Sequence, residues 1–143
     1  FVFFNFIISS FIKSTLETSS HSHNCIVLIR SLFIRLSKFG RKVGMSHFLL
    51  QVATRPLGDA VNSEPRIGLT ASRRVGGAVQ RNRARRRLCS LAEQVINLNA
   101  RADQDYVLIA RRGILSASFG QLKLELERAL DTLDLRRRAS DNR

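Results

Sequence analysis

The sequence predicts one domain that mixes helices with strands, and three observations carry that prediction. Its 143 residues are enough to bury a real core within a single domain. Apolar residues recur at helical spacing in three stretches, and alternate or run continuously over strand lengths in three others. Breakers fall between these stretches, at Gly40, Pro56 and Gly76-Gly77, where loops and stops are expected. The resulting order is helix, two strands, helix, strand, helix.

Each element has a local cause. Leu32, Phe33 and Leu36 recur at helical spacing among Arg30, Arg35 and Lys38, and Gly40 offers the stop. His47 to Arg55 alternates, with Phe48, Leu50, Val52 and Thr54 on one face and Leu49, Gln51, Ala53 and Arg55 on the other, until Pro56 ends the ladder. Gly58 to Glu64 reads as a polar loop. Arg66 to Ser72 alternates again, with Ile67, Leu69 and Ala71 on one face, and Arg73 and Arg74 then lead into the glycine turn. A helix follows from about Ala78 to Asn97, with Ala84, Leu88, Leu91, Ala92 and Val95 in one apolar stripe. Asp105 to Gly113 reads as a central strand, apolar on both faces in its middle. Ser116 to Leu135 is the last helix. Leu122, Leu126, Ala129, Leu130 and Leu133 form its core stripe, while Glu125 and Glu127 alternate with Lys123 and Arg128 as on an ordinary solvated face. The tail Arg136 to Arg143 is charged and expected to fray.

Charge points to a polyanionic partner. The formal net charge is +13 and the isoelectric point is near 11.5, values that favour binding to RNA, DNA or acidic surfaces at low salt. Between Pro65 and Ala92 lie eight arginines and no acid. At about 100° per residue, Asn82, Arg83, Arg85 and Arg86 fall off the apolar stripe of their helix, and Arg81 and Arg87 lie at its borders. A solvated face usually mixes acids with bases at i,i+4, yet no acid comes before Glu93. These cations also sit in the amino-terminal half of the helix, where the macrodipole disfavours them. Guanidinium groups can fork two hydrogen bonds onto phosphate or stack on an unpaired base.

The amino terminus differs in composition. The run from Phe1 to Ile12 is apolar and of signal-peptide length, but no basic region precedes it, and it is too short to span a bilayer. Residues 1–27 carry one charge of each sign, Lys13 and Glu17, so the net charge resides in residues 28–143. We read residues 1–27 as an extension outside the domain, disordered or an artefact of an assigned start upstream of the true one. Within it, His21, His23 and Cys25 superficially resemble metal ligands, but structural zinc needs four converging ligands and no second pair follows. The two cysteines, Cys25 and Cys89, lie 64 positions apart and indicate neither a disulfide framework nor a zinc site. A reducing cytoplasm fits that usage, and no membrane partner is expected.

The run from Arg66 to Arg83, Arg-Ile-Gly-Leu-Thr-Ala-Ser-Arg-Arg-Val-Gly-Gly-Ala-Val-Gln-Arg-Asn-Arg, followed by Arg85-Arg86, resembles the strand, glycine turn and RNR helix of the bacterial ribonuclease P protein subunit. Phe33 with Gly40 and Phe48, then Asp105-Tyr106 through Ala110-Arg111, stand in the right order, so the resemblance covers roughly residues 30–133. The domain is accordingly set at residues 28–135. The resemblance implies an α+β fold, with a small mixed sheet of about four strands packed on helices and a left-handed βαβ crossover. It further implies a holoenzyme in which a catalytic RNA cleaves with Mg2+ bound mainly through RNA. The protein side chains do no chemistry there; they hold the 5′ leader of precursor tRNA in a cleft between the first helix and the sheet. Arg81, Asn82, Arg83, Arg85 and Arg86 match the motif that sits against the catalytic RNA, with Arg73, Arg74 and Arg87 as further RNA-binding candidates. Phe33 matches a cleft aromatic, and Gln51 stands where some members carry a cleft tyrosine. Ser37 replaces a second cleft aromatic, and Cys89 stands where the helix usually continues with a basic residue.

Two other classes compete. A structural RNA-binder such as a ribosomal protein would share the charge but not the ordered motifs. A protein-only nuclease would need carboxylates converging on a cation, and the close pair Asp103 and Asp105 has no third acid nearby and reads as turn residues.

Overall fold

The computed structural model describes residues 30–56 and 65–133. The extension 1–27 with its His21–Cys25 cluster, the loop 58–64, the last residues of the expected final helix and the tail 136–143 lie outside the described residues. The elements in order are α1 (Arg30–Phe39), β1 (Arg41–Gly44), β2 (Phe48–Thr54), β3 (Arg66–Ala71), α2 (Ala78–Asn99), β4 (Gln104–Ala110) and α3 (Phe119–Thr132), with short 3-10 turns at Arg73–Val75 and Arg112–Leu115.

The four strands form one mixed sheet in the order β1-β2-β4-β3. β2 pairs antiparallel with β1 and with β4, whereas β3 lies parallel to β4. A parallel neighbour needs a crossover, and α2 supplies it, so β3, α2 and β4 make the βαβ unit of this α+β domain. β1 has no counterpart among the strands read from hydrophobic pattern. Its four residues, Arg-Lys-Val-Gly, are mostly exposed, so alternation had nothing to mark.

The sheet separates two apolar layers. Phe48, Leu50 and Val52 of β2, Ile67 and Ala71 of β3, and Tyr106, Leu108 and Ala110 of β4 point to the side covered by α2 and α3. There they meet Ala84, Leu88, Leu91, Ala92 and Val95, the stripe expected for α2, together with Leu122, Leu126, Ala129, Leu130 and Leu133 from α3. On the opposite side Val107, with Ala53 and Ile109, meets Leu32, Phe33 and Leu36 of α1. The second layer is small.

Two boundaries move. β4 stops at Ala110, and the chain turns through Arg112–Leu115 before Ser118 caps α3 by accepting from the Gln121 amide at 3.2 Å. The final helix therefore begins at Phe119, three residues after the expected Ser116. The second correction concerns Asp105, which is not a turn residue. It is a fully buried member of β4 opposite Ala53 and Arg66.

Candidate nucleic-acid interface

The arginine helix is aimed by the turn before it. β3 ends at Ala71, one 3-10 turn carries Arg73 and Arg74 outward, and Gly76 then adopts φ +146°. L side chains rarely take that conformation. A Cβ there would also fall 1.7 Å from Gln80 Oε1, the atom that accepts from the Gly77 amide at 2.8 Å. Glycine at 76 thus lets Gln80 fold back and satisfy an otherwise orphaned donor at the start of α2.

Along α2 the candidates divide by what their guanidinium groups touch. Arg83 and Arg86 are exposed, as are Arg73 and Arg74 before the helix. Asn82 accepts from Arg85 Nη2 at 2.8 Å, which holds Arg85 along the helix surface. Arg81 donates to the Gly76 carbonyl at 3.3 Å and so ties the helix to its own turn. Arg87 turns inward, donating to the carbonyls of Leu115 and Ala117, and its Nε is buried without a partner among the described residues. Beside it a groove of about 390 Å³ opens between α2 and the start of α3, lined by Arg86, Arg87, Ser90, Ala117, Ser118 and Phe119. Seven of the eight arginines between Pro65 and Ala92 thus belong to the turn and helix, while Arg66 belongs to the sheet.

The cleft candidates lie on the other side of the sheet. Phe33 is 9% exposed, packed with Leu32, Leu36 and Val107, so little of it meets solvent. Gln51 sits in β2 between Lys42 of β1 and Val107 of β4, is 1% exposed, and neither end of its amide has a hydrogen-bond partner among the described residues. Ser37, on α1, donates its hydroxyl to the Ile34 carbonyl at 2.8 Å.

The pattern reading missed an ion cluster that ties α1 to the sheet. Asp105 accepts two bonds from Arg66, Nε at 2.7 Å and Nη2 at 2.9 Å, is paired with Arg35 of α1, and is reached by Arg55 Nε at 3.4 Å. One buried carboxylate thereby joins α1, the end of β2 and the start of β3. A lone acid at the head of an apolar strand was the available signal. Asp103, by contrast, is a half-exposed turn residue bound by Arg101 at 2.8 Å. Burial raises its pKa, but the hydrogen bond and charge of Arg101 outweigh that and hold it below the ordinary carboxylate value. Among the described residues no group of three or more His, Cys, Asp and Glu side chains is placed to hold a metal ion. No described helix is long and apolar enough to cross a membrane.

The chain is similar to known proteins. Residues 22–134 match the family model described as Ribonuclease P. The ribonuclease P protein component of Paramagnetospirillum magneticum is 38% identical over 101 residues, 71% of this chain and 76% of that protein. The component from Ruegeria pomeroyi is 39% identical over 105 residues, covering 73% and 82%. That of Caulobacter vibrioides is 46% identical over 68 residues, 48% of this chain, and the match spans 46% of its length, about half. Among solved structures, the RNase P protein of Staphylococcus aureus superposes with a TM-score of 0.62 at 22% identity, covering 76% of this chain and 94% of that one. The Thermotoga maritima protein gives 0.62 at 17% identity, covering 78% and 97%. At such identities the structures speak for the fold. A family model that runs the length of the described domain, joined by relatives above a third identical, settles the assignment: the chain belongs to the ribonuclease P protein family.

Proposed function

We propose that this chain is the protein subunit of a ribonuclease P holoenzyme, assisting a catalytic RNA in removing the 5′ leader from precursor tRNA in the cytoplasm. The observation that carries the proposal is the α2 surface, where Arg83 and Arg86 stand exposed and Asn82 orients Arg85 with no acid between Pro65 and Ala92. Unopposed cations repel one another in the free protein and are relieved when a polyanion binds and releases its counterions. Arg73 and Arg74 extend that surface to the turn. In this reading α2 docks on the catalytic RNA, and the leader lies between α1 and the sheet, beside Phe33 and Gln51.

The cleft assignment has physical support of its own. Leaving an amide buried and unpaired costs about 1–3 kcal/mol, and a nucleotide entering beside Gln51 offers the donors and acceptors it lacks. Phe33 is buried against the sheet, a shift of α1 would uncover its ring for stacking, and stacking tolerates any base. Chemistry is left to the RNA. Magnesium would be held mainly by the RNA, since among the described residues no group of three or more His, Cys, Asp and Glu side chains is placed to hold it.

The test is cleavage of a precursor tRNA at low magnesium by ribonuclease P RNA alone, by the protein alone, and by both. Stimulation only when both are present is the expected result. Cleavage by the protein alone, or no stimulation of the RNA, overturns the proposal.

A further inference from the structure

Phe39 breaks the pattern of its own helix. It follows Leu36 by three positions and Leu32 by seven, which places all three on one stripe of α1. Leu36 and Leu32 are 0% and 8% exposed, yet Phe39 is 79% exposed. The cause is the helix stop. The Gly40 amide donates to the Leu36 carbonyl at 2.9 Å, and a Cβ on Gly40 would lie 2.4 Å from that oxygen and 3.1 Å from the Val52 carbonyl. Backbone approach this close ends α1 against β2 and sends the chain directly into β1, so the helix runs out at Phe39 and the last ring of the stripe stays in solvent. Phe39 is the exposed aromatic among the described residues.

Its surroundings are cationic. Lys38 and Lys42 are exposed, whereas the Arg41 guanidinium turns away to the Leu133 carbonyl at 3.2 Å, toward the α3 side of the sheet. The sequence holds no acid from Thr18 through Gly58. An exposed ring at a helix end, flanked in sequence by exposed lysines, matches what single-stranded RNA recognition requires, a π face for one base and charges for the flanking phosphates. A buried protein interface would instead deplete lysine.

We propose that Phe39, with Lys38 and Lys42, is a stacking platform for the single-stranded leader of precursor tRNA, engaged where the leader leaves the α1 cleft. The inference rests on the leader-cleft reading above and extends it past Phe33. Six residues of helix separate the two rings, about 9 Å along the axis at 1.5 Å per residue. That distance is within reach of neighbouring nucleotides of one strand. Ser37 cannot stack, and Phe39 supplies a second aromatic on α1 at a different place.

The chain contains no tryptophan, so Phe39→Trp introduces a single reporter at the platform. In the reconstituted holoenzyme, a precursor with a long leader is expected to quench its emission, and one whose leader ends within the cleft is not. Phe39→Ala is expected to weaken binding of the long-leader precursor about tenfold while leaving the short-leader precursor unchanged. Equal losses for both precursors, or no loss for either, overturn the platform. So does blue-shifted tryptophan emission in the free protein, which means that another part of the chain covers the site. If the unsubstituted holoenzyme itself ignores leader length, the cleft reading and the platform fall together. If it senses leader length and Phe39→Ala leaves that preference intact, the platform alone falls.

Discussion

Asp105 holds three arginines from three different elements, with its carboxylate fully buried and Arg35 and Arg66 only 25% and 30% exposed. Removing one partner of such a group leaves the others desolvated without a counter-charge, which typically costs about 3–5 kcal/mol. The partial exposure of the arginines lets water relieve some of this. Asp105→Asn is therefore expected to destabilise the domain by about 2–3 kcal/mol, read from urea unfolding, whereas Asp103→Asn should change little. Next to it, the Tyr106 phenol donates to the Arg101 carbonyl at 2.9 Å. Burial, then the Asp103 carboxylate, pushes its pKa well above the ordinary 10.0. An unfolded tyrosine loses its proton near pH 10 while the folded one keeps it, so this contribution is complete below about pH 10 and declines above it, by up to about 1.4 kcal/mol per pH unit. Tyr106→Phe has no such proton. The stability difference between the two proteins, followed from pH 9 to 11, is expected to narrow with rising pH, and a constant difference would contradict the assignment.

At the scale of elements, α2 serves two faces at once. Ala84, Leu88, Leu91, Ala92, Val95 and Ile96 anchor it in the larger core, so substitutions on the opposite face can be made without disturbing the fold. Replacing Arg83 and Arg86 together with alanine is expected to leave thermal stability within about 0.5 kcal/mol. It should lower the slope of log affinity for the catalytic RNA against log salt by about two units. An unchanged slope would assign the contacts elsewhere. This helix was legible in the sequence because its two patterns, apolar stripe and acid-free arginines, have the helical period and reinforce each other. β2, β3 and β4 were legible for the matching reason, an alternation or continuous apolar run bounded by breakers. β1 was not, since an exposed edge strand of four residues buries nothing that a pattern could record. Nor was the inward turn of Arg87, whose partners Leu115 and Ala117 are carbonyls brought close only by the packing of α3 on α2. Asp105 was misread because carboxylates are usually exposed. Its partners lie 39 to 70 positions away in the chain, beyond any local rule.

The molecule as a whole is unequal on its two sides. Strands and two helices share a large apolar layer on one side, while α1 is held by Leu32, Phe33 and Leu36 against Val107, Ala53 and Ile109 and by the charged tie of Arg35 to Asp105. Few apolar contacts imply a low local opening free energy, and in the proposed function α1 is the wall that a leader presses against. On that proposal the large layer presents the RNA-docking helix on a rigid base, and the small layer leaves the cleft wall free to adjust. Amide hydrogen exchange tests this division directly. In the free protein, α1 amides are expected to exchange faster than those of α2 and β4. Asp105→Asn should accelerate α1 more than α2, because it cuts the ion pair that ties Arg35 of α1 to the sheet. Within the holoenzyme, a long-leader precursor should slow α1 exchange beyond any slowing caused by the catalytic RNA alone, since ordering of the wall is then coupled to leader binding. Uniform protection across α1 and α2 in the free protein would mean that the small layer is as firmly held as the large one. The leader would then have to enter a rigid cleft, one in which Phe33 and Gln51 are already closed to it.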